Sequence, residues 1–339
     1  MDGQIGTAPM ASEWMMHGGR LDLAKLRFPD APQPWLDLST GINPLRWPVP
    51  EGLATADLGP LPAPSALAAL ERAAAGAFAT DAAVTALPGS EIGIRMLQAI
   101  GFPGPHRHVG PGYASHAAAF HDSRRIPVTD IDAAAAGGGT IIVANPSNPE
   151  GHRVDPEHLL AVARRLKRRG GWLIVDEAFA DTLPEASVLP YRTAEDPVLV
   201  FRSFGKFFGL AGIRLGFAVG PEPMIERIRA RLGSWPVSSL AIEVGRAAYA
   251  DAGWIAATRA HLHDEAAALD NVLTAAGHTP RGACPLFRLI ETEDAHGLFL
   301  RLARAGILTR PFDTAPRWLR LGLPGGAGLA RLERALADG

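Results

Sequence analysis

Lys206 stands in the segment Ser203-Phe-Gly-Lys206-Phe-Phe-Gly-Leu-Ala-Gly-Ile-Arg214, among glycines and aromatics and not among charges. An amine buried in apolar surroundings has its charged form disfavoured, so it is a competent nucleophile toward an aldehyde near neutral pH. A lone carboxylate, Asp176, closes the apolar run Trp172-Leu-Ile-Val-Asp176, and Asn148 lies upstream in Asn145-Pro-Ser-Asn148-Pro-Glu-Gly151. Gly89, Ser90 and Glu91 open a predicted helix, where free N–H groups and the helix dipole favour a phosphate. The Ser203 hydroxyl and a bidentate fork from Arg214 would complete that cradle.

A lysine for an aldehyde, an acid for a ring nitrogen and cradled donors for a phosphate are what pyridoxal 5′-phosphate asks of a protein. Motifs such as NPxG or SxxK recur by chance; the ordered set Asn148, Asp176, Ser203, Lys206, Arg214 is far more specific. It resembles the fold type I pyridoxal-phosphate enzymes, the aspartate aminotransferase superfamily, from about His17 to the end of the chain.

The resemblance implies that Lys206 carries the cofactor, Asp176 pairs with the pyridine nitrogen and Asn148 hydrogen-bonds the ring's phenolic oxygen. It also implies that Tyr113, after Gly110-Pro-Gly, stacks on the ring. Local alternatives remain at this point: a helix N-cap for Asp176, a turn for Asn148, a surface ion pair for Arg214 and a core position for Tyr113. Phe179 occupies the place where family members often carry a tyrosine hydroxyl. Arg320, in Trp318-Leu-Arg-Leu-Gly, matches the arginine that holds the substrate α-carboxylate in that family. An arginine within an apolar strand needs an anion partner or bears a large desolvation cost.

His17-Gly-Gly-Arg20 and Leu38-Ser-Thr-Gly41-Ile-Asn43-Pro resemble the threonine-phosphate decarboxylases of cobalamin biosynthesis. That likeness implies conversion of O-phospho-L-threonine to (R)-1-amino-2-propanol O-2-phosphate. A second anion pocket would draw on backbone donors from His17, Gly18, Gly19, Gly41 and Asn43. The alternative is a histidinol-phosphate aminotransferase on the same fold. A catalytically silent ligand-sensing module is a third reading, against which the full set of partners around Lys206 stands. The family resemblance further implies a homodimer.

The elements that must position these residues read as an α/β chain: a large domain with a mainly parallel sheet plus a smaller α+β domain. Strand candidates are 84–87, 106–109, 125–128, 140–144, 172–176, 198–203, 215–219, 286–290 and 318–321. Helices are expected at 65–79, with Ser65 as N-cap, and at 90–100, 156–169, 240–250, 254–276, 295–305 and 329–337. The alanine run before Gly137-Gly-Gly139 reads as a loop. The expected division is an N-terminal arm, 1–44, joining the small domain, a large domain, 45–234, and a small C-terminal domain, 235–339.

With 339 residues, 47% apolar and 20% charged, the chain suits a globular enzyme of two domains. A formal charge of -2 gives no long-range pull toward nucleic acid or anionic lipid, so a small-molecule partner is expected, its phosphate gripped locally. One cysteine, Cys284, fits a reducing compartment. No apolar stretch approaches the roughly 18 to 20 residues that span a bilayer, and no secretory pattern opens the chain, so a cytoplasmic location is expected. The histidines lack zinc-like spacing, and no metal is expected.

Overall fold

The computed structural model describes residues 18–54 and 58–337; His17 lies outside them. The chain divides into two compact units, Met1–Pro44 with His263–Gly339, and Leu45–Leu262. After a helix over Leu21–Arg27, the first strand of the smaller unit, β1 (Leu36–Asp37), is two residues long.

The larger unit is built on seven strands: β2 (Ala83–Leu87), β3 (His106–Val109), β4 (Arg124–Ile126), β5 (Thr140–Ala144), β6 (Trp172–Asp176), β7 (Val198–Ser203) and β8 (Gly216–Gly220). Their order across the sheet is β2-β8-β7-β6-β5-β3-β4. All pairs are parallel except those of β8, which runs antiparallel to both β2 and β7. Ile141, Ile142, Ile174, Leu199 and Phe201 are buried because helices cover both faces, which is why these strands read as continuous apolar runs. Ile94 and Leu97, from the helix Ser90–Ile100, and Ile225 and Ile228, from Glu222–Leu232, pack into the same core.

Three local expectations change. The helix expected from Ser65 begins at Pro64, with no side-chain cap from the preceding Ala63. Proline at the first helical position has its φ preset and no N–H to satisfy. The alanine run before Gly137 is a short helix, Ile131–Ala136, that buries Ile131 and Ala135; alanine's high helix propensity outweighs the glycines that follow. The helix Glu222–Leu232, entered through Pro221, was not singled out from the sequence.

The division of the chain also falls later than position 234. The helix Ser239–Ala250 lies so close to Pro64–Ala77 that a Cβ at Gly245 would stand 2.8 Å from Leu70 Cδ1. Trp254 stacks on Phe208 with ring centroids 5.5 Å apart. This packing keeps residues 235–262 with the large sheet, and the helix Ala252–Ala275 continues past the division.

In the smaller unit β9 (Phe287–Glu291), β11 (Arg310–Pro311) and β12 (Trp318–Gly322) form an antiparallel sheet in the order β11-β12-β9. β10 (Ile307–Leu308) pairs in parallel with β1. Helices Ala295–Arg304 and Gly326–Ala337 accompany them. The backbone of Leu38–Thr40 presses on β12: Gly322 N–H donates to Leu38 O at 2.7 Å, and a Cβ at Gly322 would stand 2.3 Å from Thr40 O.

Candidate active site

In doubly wound sheets ligands gather beyond the carboxyl ends of the strands, and β6 and β7 end in Asp176 and Ser203. Asp176 is buried. Its Oδ1 accepts the Ala178 N–H at 3.1 Å, and its Oδ2 accepts from His116 Nε2 at 2.8 Å. The Asp176 side chain therefore makes a local turn bond and a long-range one together. His116 lies on the single-turn helix Ala114–Ala117, which follows Tyr113, and its Nδ1 is buried without a hydrogen-bond partner among the described residues. The Tyr113 ring meets the His116 ring edge-on, centroids 5.8 Å apart. Burial first, and then Glu91, push the Tyr113 phenol up to about 12.

His116 was missed from the sequence. Its only signal there is the three-residue step from Tyr113, which puts both on one side of a helical turn. Its partner is 60 positions away.

Gly89 adopts φ 89 ahead of the helix Ser90–Ile100, a left-handed conformation that glycine takes without strain. A Cβ there would stand 2.5 Å from Arg214 Nη2, so the guanidinium lies over the glycine at the helix N-terminus. The start of β8 reaches the same turn, since a Cβ at Gly216 would stand 2.4 Å from Ser90 N. Gly89, Ser90 and Arg214 are thus brought together. The Glu91 carboxylate is turned elsewhere: its Oε1 accepts from Arg95 Nε and from the Ser115 hydroxyl, each at 2.7 Å. Through that oxygen its side chain braces this corner of the fold.

Ser203 precedes the turn Phe204–Phe207, and its hydroxyl makes no capping bond there. Lys206 is half-buried between buried Gly205 and Phe207. The sequence holds only two other lysines, Lys25 and Lys167. Lys25 is exposed, and the Lys167 Nζ pairs with Glu195 at 3.0 Å.

The two asparagines of Asn145-Pro-Ser-Asn148 separate in role. Asn145 is buried, donating to Val154 O and Ala186 O and accepting the Val154 N–H. Asn148, the candidate, is half-buried. Phe179 is buried at the edge of the turn that leads into Asp181.

Within the smaller unit Arg320 is buried on β12. Its Nη2 donates to Ser39 O at 2.7 Å, and its guanidinium lies 5.1 Å from the centre of the Phe287 ring. Arg310 on β11 is its direct cross-strand partner and is also buried. Burial first, and then the Arg310 charge, lower Arg320 to about 10. Arg310 too was missed: between Thr309 and Pro311 it lacks the apolar strand pattern that marks Arg320.

Gly18 and Gly19 lie against Ser39. Gly19 N–H donates to the Ser39 hydroxyl at 2.7 Å, and a Cβ at Gly18 would stand 2.2 Å from Ser39 O. Gly18 thus lets the chain press against the residue whose carbonyl receives Arg320. Gly41 and Asn43 are buried in the same unit. Among the described residues no cluster of three or more His, Cys, Asp or Glu side chains gathers as a metal site would require.

Residues 112–337 match the profile of the aminotransferase class I and II family, and the chain belongs to that family. Within it the chain is 41% identical to "Threonine-phosphate decarboxylase" from Sinorhizobium sp., over 95% of this chain and 98% of that one. It is 38% identical to "Threonine-phosphate decarboxylase" from Pseudomonas aeruginosa PAO1, over 94% and 96% of the two chains. The solved histidinol-phosphate aminotransferase of Sinorhizobium meliloti, in complex with pyridoxal-5′-phosphate, superimposes with a TM-score of 0.81. That match covers 94% of this chain and 93% of the other at 21% identity.

Proposed function

We propose that the protein is a pyridoxal-phosphate enzyme that decarboxylates O-phospho-L-threonine to (R)-1-amino-2-propanol O-2-phosphate, a step of cobalamin biosynthesis. The observation that carries this reading is the likeness to two threonine-phosphate decarboxylases across almost the full length of each chain. The pair of buried arginines in register on β11 and β12 supports it, because phosphothreonine carries both a carboxylate and a phosphate. Histidinol phosphate has no carboxylate.

The residues present suit the cofactor. A helix N-terminus opened by Gly89 with Arg214 over it offers donors for a phosphate. A buried carboxylate held by a histidine suits a ring N–H, and Lys206 is the one lysine that is not exposed. In this reading Gly89, Ser90, Ser203 and Arg214 hold the phosphate, Asp176 the ring nitrogen and Asn148 the phenolic oxygen. Tyr113 covers the ring face.

Pyridoxal phosphate, when bound, supplies an electron-withdrawing ring that accepts the electron pair left when a bond to the substrate Cα breaks. His116 holds the Asp176 carboxylate in one orientation, in which it would keep the proton on the ring nitrogen. Arg320, with Arg310, would orient the substrate's anionic groups and so select the carboxylate bond for cleavage. Carbon dioxide leaves with that bond, and Lys206 Nζ delivers a proton to Cα, regaining it from solvent. With Phe179 in place of a tyrosine, no hydroxyl comes from that position.

We extend the reading to a homodimer, as the family resemblance implies, and to a cytoplasmic location, as the single cysteine and the absence of a secretory pattern lead us to expect. Among the described residues no helix is long and apolar enough to cross a membrane. Sedimentation that finds a fully active monomer would remove the dimer. The reaction itself is tested by supplying phosphothreonine without any keto acid; release of carbon dioxide and aminopropanol phosphate is expected. The reading is wrong if amino transfer from histidinol phosphate to 2-oxoglutarate outpaces that release by about a hundredfold, roughly 2.7 kcal/mol in transition-state preference.

A further inference from the structure

Behind the strand ends that deliver the candidate residues lies a buried ionic cluster that the reaction itself does not use. Arg202 is the penultimate residue of β7, next to Ser203 and four positions before Lys206, and only 3% of it is exposed. Its Nη1 donates to Glu177 Oε2 at 2.9 Å, its Nη2 donates to Asp181, and its guanidinium lies 4.4 Å from the centre of the Phe78 ring. Glu177 directly follows Asp176 at the end of β6. Its Oε2 also accepts the Ser187 hydroxyl at 2.6 Å, and its Oε1 accepts the Val188 N–H at 2.8 Å.

The register explains why this cluster bears on the site. Asp176 lies opposite Phe201, and Glu177 N–H donates to Phe201 O at 2.8 Å. Successive side chains along a strand point to opposite faces. Glu177 and Arg202 therefore share the face away from Asp176 and Ser203. An arginine fork has fixed geometry, so bridging two carboxylates on neighbouring segments sets their spacing in a way that apolar packing does not. Asp181 is held in turn from the helix Ala252–Ala275, where Arg259 Nε donates to its carbonyl at 2.8 Å.

We propose that Arg202 is a positioning residue: bridging Glu177 and Asp181 behind the sheet, it fixes the spacing between the ends of β6 and β7, and with it that between Asp176 and the Ser203–Lys206 turn. The inference rests on the cofactor reading above. Burial works against the charge of Arg202, but Asp181 and Glu177 together hold the guanidinium above its ordinary value; burial also pushes the Glu177 carboxyl up, with Arg202 opposing.

The test uses the full-length, cofactor-loaded protein and Arg202→Lys, which keeps the charge and loses the fork. Because the ring orientation depends on Asp176 and Lys206 together, the visible-region circular dichroism of the bound cofactor is expected to fall by about half or more. The turnover number kcat is expected to fall at least about tenfold while KM for phosphothreonine changes less than about threefold. Glu177→Gln, which retains the Arg202–Asp181 bond, is expected to show the same changes at smaller size, and it serves if the lysine variant does not fold. A variant that melts earlier yet keeps the wild-type visible signal and kcat would reduce Arg202 to a purely structural role and overturn the proposal. Absence of any visible cofactor band in the wild-type protein would instead overturn the cofactor reading, and the proposal with it.

Discussion

Arg202 in the larger unit and Arg320 in the smaller one are enclosed alike, 3% and 6% exposed, but their surroundings push their charge in opposite directions. Arg202 sits between Glu177 and Asp181, which hold its guanidinium above the ordinary value in spite of burial. Arg320 faces a carbonyl oxygen, an aromatic ring and the Arg310 charge across the strand pair; burial and then Arg310 draw it down to about 10, with Asp37 opposing more weakly. A buried cation matched by carboxylates fastens the fold. One placed beside a second cation has its charge disfavoured, and on the reading proposed above it is where the substrate's anionic groups would bind.

The sharpest way to break this contrast is to remove each charge in turn. Arg202→Met leaves Glu177 and Asp181 buried without their cation and is expected to cost about 3–5 kcal/mol of stability in denaturant unfolding. Arg320→Met removes a charge that its surroundings disfavour, so its stability is expected to stay within about 1 kcal/mol of wild type, or above it. Equal losses in the two variants would end the distinction.

Next in size is the effect on substrate. Arg320→Met is expected to lower kcat/KM for phosphothreonine about a hundredfold, near 2.7 kcal/mol, and Arg310→Met about tenfold, near 1.4 kcal/mol. Steady-state assays at one pH compare the two. If neither variant loses more than about twofold, the strand pair does not hold the substrate.

A smaller effect sharpens the same point without catalysis. Inorganic phosphate added to the cofactor-loaded protein is expected to raise the thermal midpoint by about 1–2 °C for each 1 kcal/mol of binding, and the rise should shrink in Arg320→Met. Using loaded protein keeps phosphate from reporting on the Gly89–Arg214 cradle.

The smallest expected effect concerns His108, which is buried beside the strand ends with Nδ1 on the Ser123 hydroxyl at 2.8 Å. Burial first, then His116 and Arg125, lower its pKa from 6.5. The unfolded chain therefore takes up its proton first as pH falls. Stability from this residue is complete above about pH 6.5 and declines below it, by at most about 1.4 kcal/mol per pH unit. Thermal melts between about pH 5 and 7 should show a shallower acid slope in His108→Asn than in wild type. An unchanged slope would mean that other groups set the acid limit.

The sequence was most readable where a residue's environment is local. β5 and β6 are five-residue strands with four apolar residues each and occur as read, and Gly89-Ser90 opens its helix at the expected place. The direction of β8 could not be read, because an apolar run looks the same in a parallel or an antiparallel strand. His116 and Arg310 were hidden for a related reason: each matters through a partner on another segment, Asp176 in one case and Arg320 in the other. Gly18 and Gly19 show the converse. Their type suggested backbone donors for an anion, but the structure also gives a local reason for each: close approach to Ser39 O at Gly18, and a φ of +79 at Gly19.

The most direct single measurement is borohydride reduction of the loaded protein, followed by peptide mapping across its three lysines, Lys25, Lys167 and Lys206. Reduction fixes the pyridoxyl group on the amine that held it. The expected result is one modified peptide, containing Lys206, with loss of the visible band and of carbon dioxide release. Modification confined to Lys25 or Lys167, or a Lys206→Ala variant that keeps both the band and the activity, would contradict the assignment.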